Sequence, residues 1–167
     1  MRLLSVVLFL GSLGAHNALA ASKLVDLQGR YLVQGNGYEC PAVLTFQIGE
    51  SEDELVMNAE DLGRVWMLDR FIEGKKIIGP NTWKKVSISI RSQRSTIKSE
   101  FYNKACYPAG SDSSEADTLD NCKTINTKTN LHFDHKSNTL SYDYSRRTNG
   151  RFGAEYNCDY LLDTVEN

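Results

Sequence analysis

Four tyrosines near the C-terminus, Tyr142, Tyr144, Tyr156 and Tyr160, are the residues whose type and spacing point most directly to chemistry. Their separations within each segment are even, so on extended strands they project from one face. Aromatic rings supply stacking surface and phenols supply donors and acceptors, which together suit a planar or sugar-like ligand. The same residues also serve as plain core aromatics, because tyrosine is a good strand former. His132-Phe133-Asp134-His135 is the other suggestive cluster. On a strand His132 and Asp134 point one way and His135 the other, so a metal site would need a partner from elsewhere. These read as exposed histidines at a strand end, and neither metal nor cofactor is expected. Gly-x-Ser-x-Gly, a Gly-rich phosphate loop and His-Glu-x-x-His are all missing from the chain.

The elements that must position the tyrosines follow from the rest of the chain. Residues 1–20 read as a signal peptide, with Arg2 as a short basic region, an apolar run from Leu3 to Leu13, and Ala18-Leu19-Ala20 as the small-residue cleavage pattern. The apolar run falls short of the roughly 20 residues that span a bilayer, so no stable membrane insertion is expected after cleavage. The mature domain is then 21–167, a length that fits one domain with its own core. A net charge of −2 argues against a nucleic-acid binder. All four cysteines, Cys40, Cys106, Cys122 and Cys158, lie beyond residue 20 with no Cys-x-x-Cys spacing. In an exported, secreted or periplasmic chain they read as two disulfides, and oxidation takes them out of contention as nucleophiles.

Apolar residues alternate with polar ones over most of the domain. Leu44, Phe46 and Ile48 form one such set, Val86, Ile88 and Ile90 another, and Leu140, Tyr142 and Tyr144 a third. The longest runs from Phe152 through Ala154, Tyr156, Cys158 and Tyr160 to Leu162. Period two means sheets with one buried face. Strands are expected near 29–35, 42–49, 53–59, 64–73, 84–92, 95–103, 122–127, 129–135, 139–146 and 152–162. Gly74-Lys75-Lys76 reads as a turn and Ala105–Asp120 as a long polar surface loop. The fold class is therefore all-β, an antiparallel meander of about 8–10 strands closed as a small barrel, with a β-sandwich as the alternative. Charge falls in blocks. Six acids and no base lie between Glu50 and Asp61, and ten bases against three acids lie between Arg64 and Lys104. Solvated outer faces explain such blocks, and so does a surface that docks a charged partner.

Register sharpens the expectation. A two-residue turn at Asn149-Gly150 would set apolar against polar, so a three-residue loop Thr148-Asn149-Gly150 is expected, pairing Tyr142 with Tyr156. The preceding hairpin needs an even-length turn, most simply Ser137-Asn138. Cys106 and Cys122 bracket the long loop and are expected to pair. Cys40 shares the parity of Leu44, Phe46 and Ile48, and Cys158 that of Tyr156 and Tyr160. A Cys40–Cys158 bridge then ties an early strand to the last one, as barrel closure requires.

Leu27-Gln28-Gly29-Arg30-Tyr31, a Gly-x-aromatic on the first strand of a long meander, resembles the opening of lipocalin-like (calycin-type) small β-barrels. That family usually carries Trp where Tyr31 stands, and a basic residue on its final strand packs over that position. Arg151 is the best match here, at a strand start. The resemblance implies a ligand-binding or inhibitor-type barrel. Taken together, the leading expectation is an exported non-enzymatic barrel that binds a small ligand or a protein partner. An inhibitor of a secreted enzyme acting through the Ala105–Asp120 loop or the strand ends, a hydrolase of envelope polymers, and an outer-membrane barrel are the alternatives.

Overall fold

A computed structural model describes residues 24–35, 39–61, 64–107 and 121–164. The segment read as a signal peptide, and 108–120 of the polar loop, lie outside the described residues. After a single 3-10 turn at Val25–Leu27, ten strands follow in chain order. They are β1 (Gly29–Val33), β2 (Val43–Ile48), β3 (Glu54–Asp61), β4 (Arg64–Ile72), β5 (Gly74–Gly79), β6 (Thr82–Ser89), β7 (Arg94–Tyr107), β8 (Asn121–Asp134), β9 (Thr139–Thr148) and β10 (Arg151–Leu162). All pairings are antiparallel, and the sheet order is β4-β3-β2-β1-β10-β9-β8-β7-β6-β5. First and last strands pair, so the meander rolls into a nearly closed barrel with one unsealed seam between β4 and β5.

Strand parity puts the alternating apolar residues inside. Tyr31, Phe46 and Phe133 meet edge to face, with centroids 5.3 to 5.8 Å apart. Such geometry sets the positive ring edge against a negative face and adds to the burial of each ring. Leu55, Met57, Phe71, Ile97, Leu131 and Leu140 complete this core at no more than 1 % exposure. Tyr31 opposes Leu162 across the β1–β10 ladder. Arg151 starts β10 at the opposite end from Leu162, so the basic partner expected from the barrel resemblance does not cover Tyr31. Outside, Arg30 of β1 is paired instead with Asp163.

Several boundaries differ from the sequence reading. Gly74–Gly79 is a strand and not a turn, because Gly74, Lys75 and Lys76 pair with Val86, Lys85 and Lys84 of β6. The two segments expected at 122–127 and 129–135 are one continuous β8 that runs through Lys128. Ala105–Tyr107, assigned to the loop, extends β7 against β8. The turn after β8 has four residues, His135 to Asn138, and not two. Its even length matches expectation. The Asp134 carboxylate accepts from the N–H groups of Lys136 and Ser137, folding the chain over.

The last hairpin corrects the register argument in a physically informative way. Asn149 and Gly150 do form the tight two-residue turn, at φ of 50° and 73°, and Thr148 pairs with Arg151. A β-bulge between Phe152 and Ala154 then shifts the phase by one. Tyr156 therefore opposes Tyr144, Cys158 opposes Tyr142 and Tyr160 opposes Leu140. A Cβ on Gly153 would sit 3.0 Å from the Arg146 carbonyl oxygen, which is why glycine occupies the bulge.

Both expected disulfides are present. Cys106 faces Cys122 across the β7–β8 ladder, and Cys40, in the β1–β2 connection, reaches over β1 to Cys158 of β10. Two disulfides are more typical of an oxidising extracellular or periplasmic environment than of a reducing one. The long-range bridge encloses 118 residues of separation, whereas the local one clamps two strands already paired from Arg94 to Tyr107. In the chain-entropy view the longer loop is worth about 4.7 kcal/mol. Replacing Cys40 and Cys158 together by Ala is expected to lower the Tm by about 10 °C or more at this domain size. In the same view the loop closed by Cys106–Cys122, at a separation of 16, is worth about 3 kcal/mol, so replacing that pair should cost about two-thirds as many degrees in the same differential scanning calorimetry run. Equal losses would show that closure between β1 and β10 does not depend on the staple.

Candidate functional site

The interior is layered. Across β6 to β10 the register stacks inward-facing residues into rows, beginning near the 135–138 turn with Ser95, Phe133, Leu140 and Tyr160. Next comes Ile88, Ile97, Leu131, Tyr142 and Cys158, then Val86, Ser99, Thr129, Tyr144 and Tyr156. The row beyond, toward the 149–150 turn, carries Lys84, Phe101, Thr127, Arg146 and Ala154. Composition thus shifts along the barrel axis from an almost wholly apolar floor to hydroxyls and then to cations.

All four tyrosines share this interior face. Tyr142 and Tyr160 are fully buried at 0 % exposure, while Tyr144 and Tyr156 are partly buried and pack against the core. The Tyr144 and Tyr156 rings stack face to face at 4.7 Å and 14°. Tyr142 sits edge-on beneath Tyr156 at 5.6 Å, and their hydroxyls share a hydrogen bond at 3.4 Å. The Tyr160 hydroxyl donates to the Pro41 carbonyl at 3.0 Å, anchoring the chain beside Cys40. Tyr142 and Tyr160 are therefore floor and strut, and the stacked pair is the part of the cluster that keeps some exposure. Ser99 and Thr129, missed in sequence reading, complete the same row with buried hydroxyls. Only the cross-strand register brings them beside Tyr144.

Burial sets the protonation of this region. Loss of water around the phenols holds Tyr31 and Tyr156 neutral, pushed up to about 12, and in Tyr156 the hydrogen bond from Tyr142 partly opposes the rise. Tyr142 and Tyr160 are raised further by burial, reinforced by neighbouring tyrosines. None acts as a base or nucleophile near neutrality.

The histidine cluster disperses as its parity requires. His132 faces outward with its Nε2 4.0 Å from Asp143. His135 Nε2 lies 2.8 Å from the Oγ of buried Ser95, closing the barrel floor. Asp134 is held below the usual carboxylate range, chiefly by the Ser137 N–H. Among the described residues no group of three His, Cys, Asp or Glu side chains gathers as a metal site. A groove of about 520 Å³ includes the outward-facing Thr96, His132, Ser141 and Asp159 in its lining. There Ser141 Oγ donates to Asp159 at 2.7 Å. His132 is the cross-strand neighbour of Ser141 in the β8–β9 register. No helix among the described residues is long and apolar enough to cross a membrane.

The raised phenol pKa values carry a sign. The unfolded chain loses these protons near pH 10 while the folded chain keeps them, so stability is full below pH 10 and declines as pH rises towards 12. Tyr31, buried at 5 % exposure, contributes a loss of about 1.4 kcal/mol per pH unit across that window. Urea midpoints at pH 9, 10.5 and 11.5 are expected to fall accordingly. In Tyr31→Phe the fall should be shallower, and an unchanged slope would contradict the burial of this hydroxyl.

No family model, no curated protein and no solved structure matches this chain.

Proposed function

We propose that this protein is an exported, non-enzymatic barrel that binds a small planar ligand in the half of its interior lined by the tyrosines. The observation that carries the reading is the stacked Tyr144–Tyr156 pair, inward-facing and partly exposed, standing above a sealed apolar floor. Aromatic walls with a few convergent polar groups are the usual composition of a small-molecule site. Ser99 and Thr129 supply hydroxyls in the same row, and Arg146 supplies a cation in the row above. A flat ligand with hydroxyl or anionic substituents matches that order. Such a role fits the oxidising compartment that two disulfides indicate. The inhibitor reading rests on the Ala105–Asp120 loop or the strand ends, and residues 108–120 of that loop lie outside the described residues.

The probe is 8-anilinonaphthalene-1-sulfonate, planar and anionic. Titration into the oxidised protein should raise its fluorescence saturably, with binding weakened about tenfold or more in Tyr144→Ala/Tyr156→Ala, since each ring buries substantial apolar surface. Phe152→Ala, which removes an outward side chain at 69 % exposure, should leave the titration unchanged. A double variant that binds the probe like the parent would overturn the assignment.

A further inference from the structure

The seam between β4 and β5 is the one place where the meander fails to pair with itself. Two features of the chain hold it open. Glu73 alone links Ile72 to Gly74, and the tightest common hairpins carry two loop residues. A hairpin centred on Glu73 would moreover add a third facing pair of cations, Arg70 opposite Lys76, to a strand whose ladder to β6 already sets Lys75 against Lys85 and Lys76 against Lys84. Lys84 of β6 partly compensates from within. Its Nζ pairs with Asp69, donates to the Arg70 carbonyl oxygen and lies 4.9 Å over the Phe71 ring. Arg70 itself is engaged by Glu54 at 3.2 Å and Glu50 at 3.6 Å.

Both edge strands expose apolar side chains beside unpaired backbone. Among the described residues, four of the seven strongly exposed large apolar side chains are Leu68, Ile72, Ile77 and Ile78, all on β4 and β5. Leu68, Ile72, Ile78 and Lys76 line a groove of about 340 Å³ along the seam. Natural edges are usually blunted by charge, bulges or covering elements, because a free edge templates another strand. On β5 the charge is one-sided. The strand reads Lys75-Lys76-Ile77-Ile78, and neither lysine has an ion-pair partner among the described residues.

We propose that the free edge of β5 accepts one extended segment of a partner protein as an added strand. Cross-strand complementarity states its chemistry. Run antiparallel, the segment reads apolar, apolar, acidic, acidic, placing carboxylates opposite Lys76 and Lys75 and aliphatic side chains opposite Ile78 and Ile77. Its apolar side chains also meet Leu68 and Ile72 across the groove. β4, which presents Arg70 at that position, is the wrong partner for the same reason. A second copy of this chain is disfavoured too, since its own β5 offers lysines and no carboxylates to that edge. This inference stands apart from the tyrosine site, and either fails without the other.

The test uses the full oxidised chain and an acetylated, amidated peptide of threonine, valine, valine, glutamate, glutamate and threonine. Calorimetric titration should show saturable binding, with amide exchange slowed on β5 and β4 in NMR spectra. In Lys75→Glu/Lys76→Glu affinity for this peptide should drop about tenfold or more, from two pairs each worth up to about 1 kcal/mol. That variant should instead prefer the peptide carrying lysines for glutamates, a reversal that mere damage to the fold does not produce. Both lysines are exposed, and circular dichroism checks that the variant is folded. The proposal is overturned by absence of binding, by equal binding of both peptides to the parent protein, or by undiminished binding of a peptide N-methylated at alternate residues. Sedimentation showing dimers that β5 substitutions dissolve would equally overturn it, in favour of a second copy.

Discussion

Three residue pairs turn this meander into a barrel, namely Tyr31, Leu32 and Val33 of β1 against Leu162, Leu161 and Tyr160 of β10. Every other pair of sheet neighbours is also adjacent in sequence, so its pairing closes a much smaller loop. The β1–β10 contact joins the two ends of the domain and must offset nearly the whole closure entropy of the chain. The short ladder has help. Cys40–Cys158 straddles β1, and the Tyr160 hydroxyl holds the Pro41 carbonyl beside it. Gln34 N–H donates to Asp159 C=O just past the ladder, and Asp163 N–H donates to Arg30 C=O at its other end. Covalent, backbone and phenol contacts converge on one strand of five residues.

The interior layering follows from that closure. Once β1 is held against β10, Tyr31 lies over Phe46 and Phe133 and seals the floor, leaving no role there for a ligand. Tyr142 continues the seal with its hydroxyl turned to Tyr156. Polar groups can then appear inward only where packing is already complete, which is the Ser99–Thr129–Tyr144–Tyr156 row and beyond. The tyrosine stack marks the boundary between the filled apolar core and the more polar rows beyond it.

How legible this was in the chain depended on the kind of information each feature needs. Alternation alone placed most of the strands and the inward parity of the four tyrosines, because burial on one sheet face imposes period two directly on sequence. Parity also sufficed to join Cys40 to Cys158. Hidden features were those set by neighbours and not by the segment itself. Lys75-Lys76-Ile77-Ile78 has no alternation, and only its ladder to β6 makes it a strand. The bulge at Gly153 allowed both the tight Asn149-Gly150 turn and the buried tyrosine face, two requirements that look incompatible without it. Ser99 and Thr129 carry no signal beyond being small polar residues in strands, so their place in the tyrosine row emerges only from register.

The two closures of the barrel differ for reasons that can be compared residue by residue. At β1–β10 apolar meets apolar on the inner face, and a disulfide removes much of the entropic penalty of joining distant segments. At β4–β5 the segments are adjacent in sequence and closure entropy is negligible, yet the strands do not pair. Local geometry and charge decide the outcome there, since one linking residue is too few and Arg70 would face Lys76. Lys84 fills the gap with a single side chain, an ion pair and one carbonyl contact in place of a ladder. Proximity in sequence is thus no guarantee of a sealed edge, and the barrel keeps its strongest closure where the chain had the most entropy to lose.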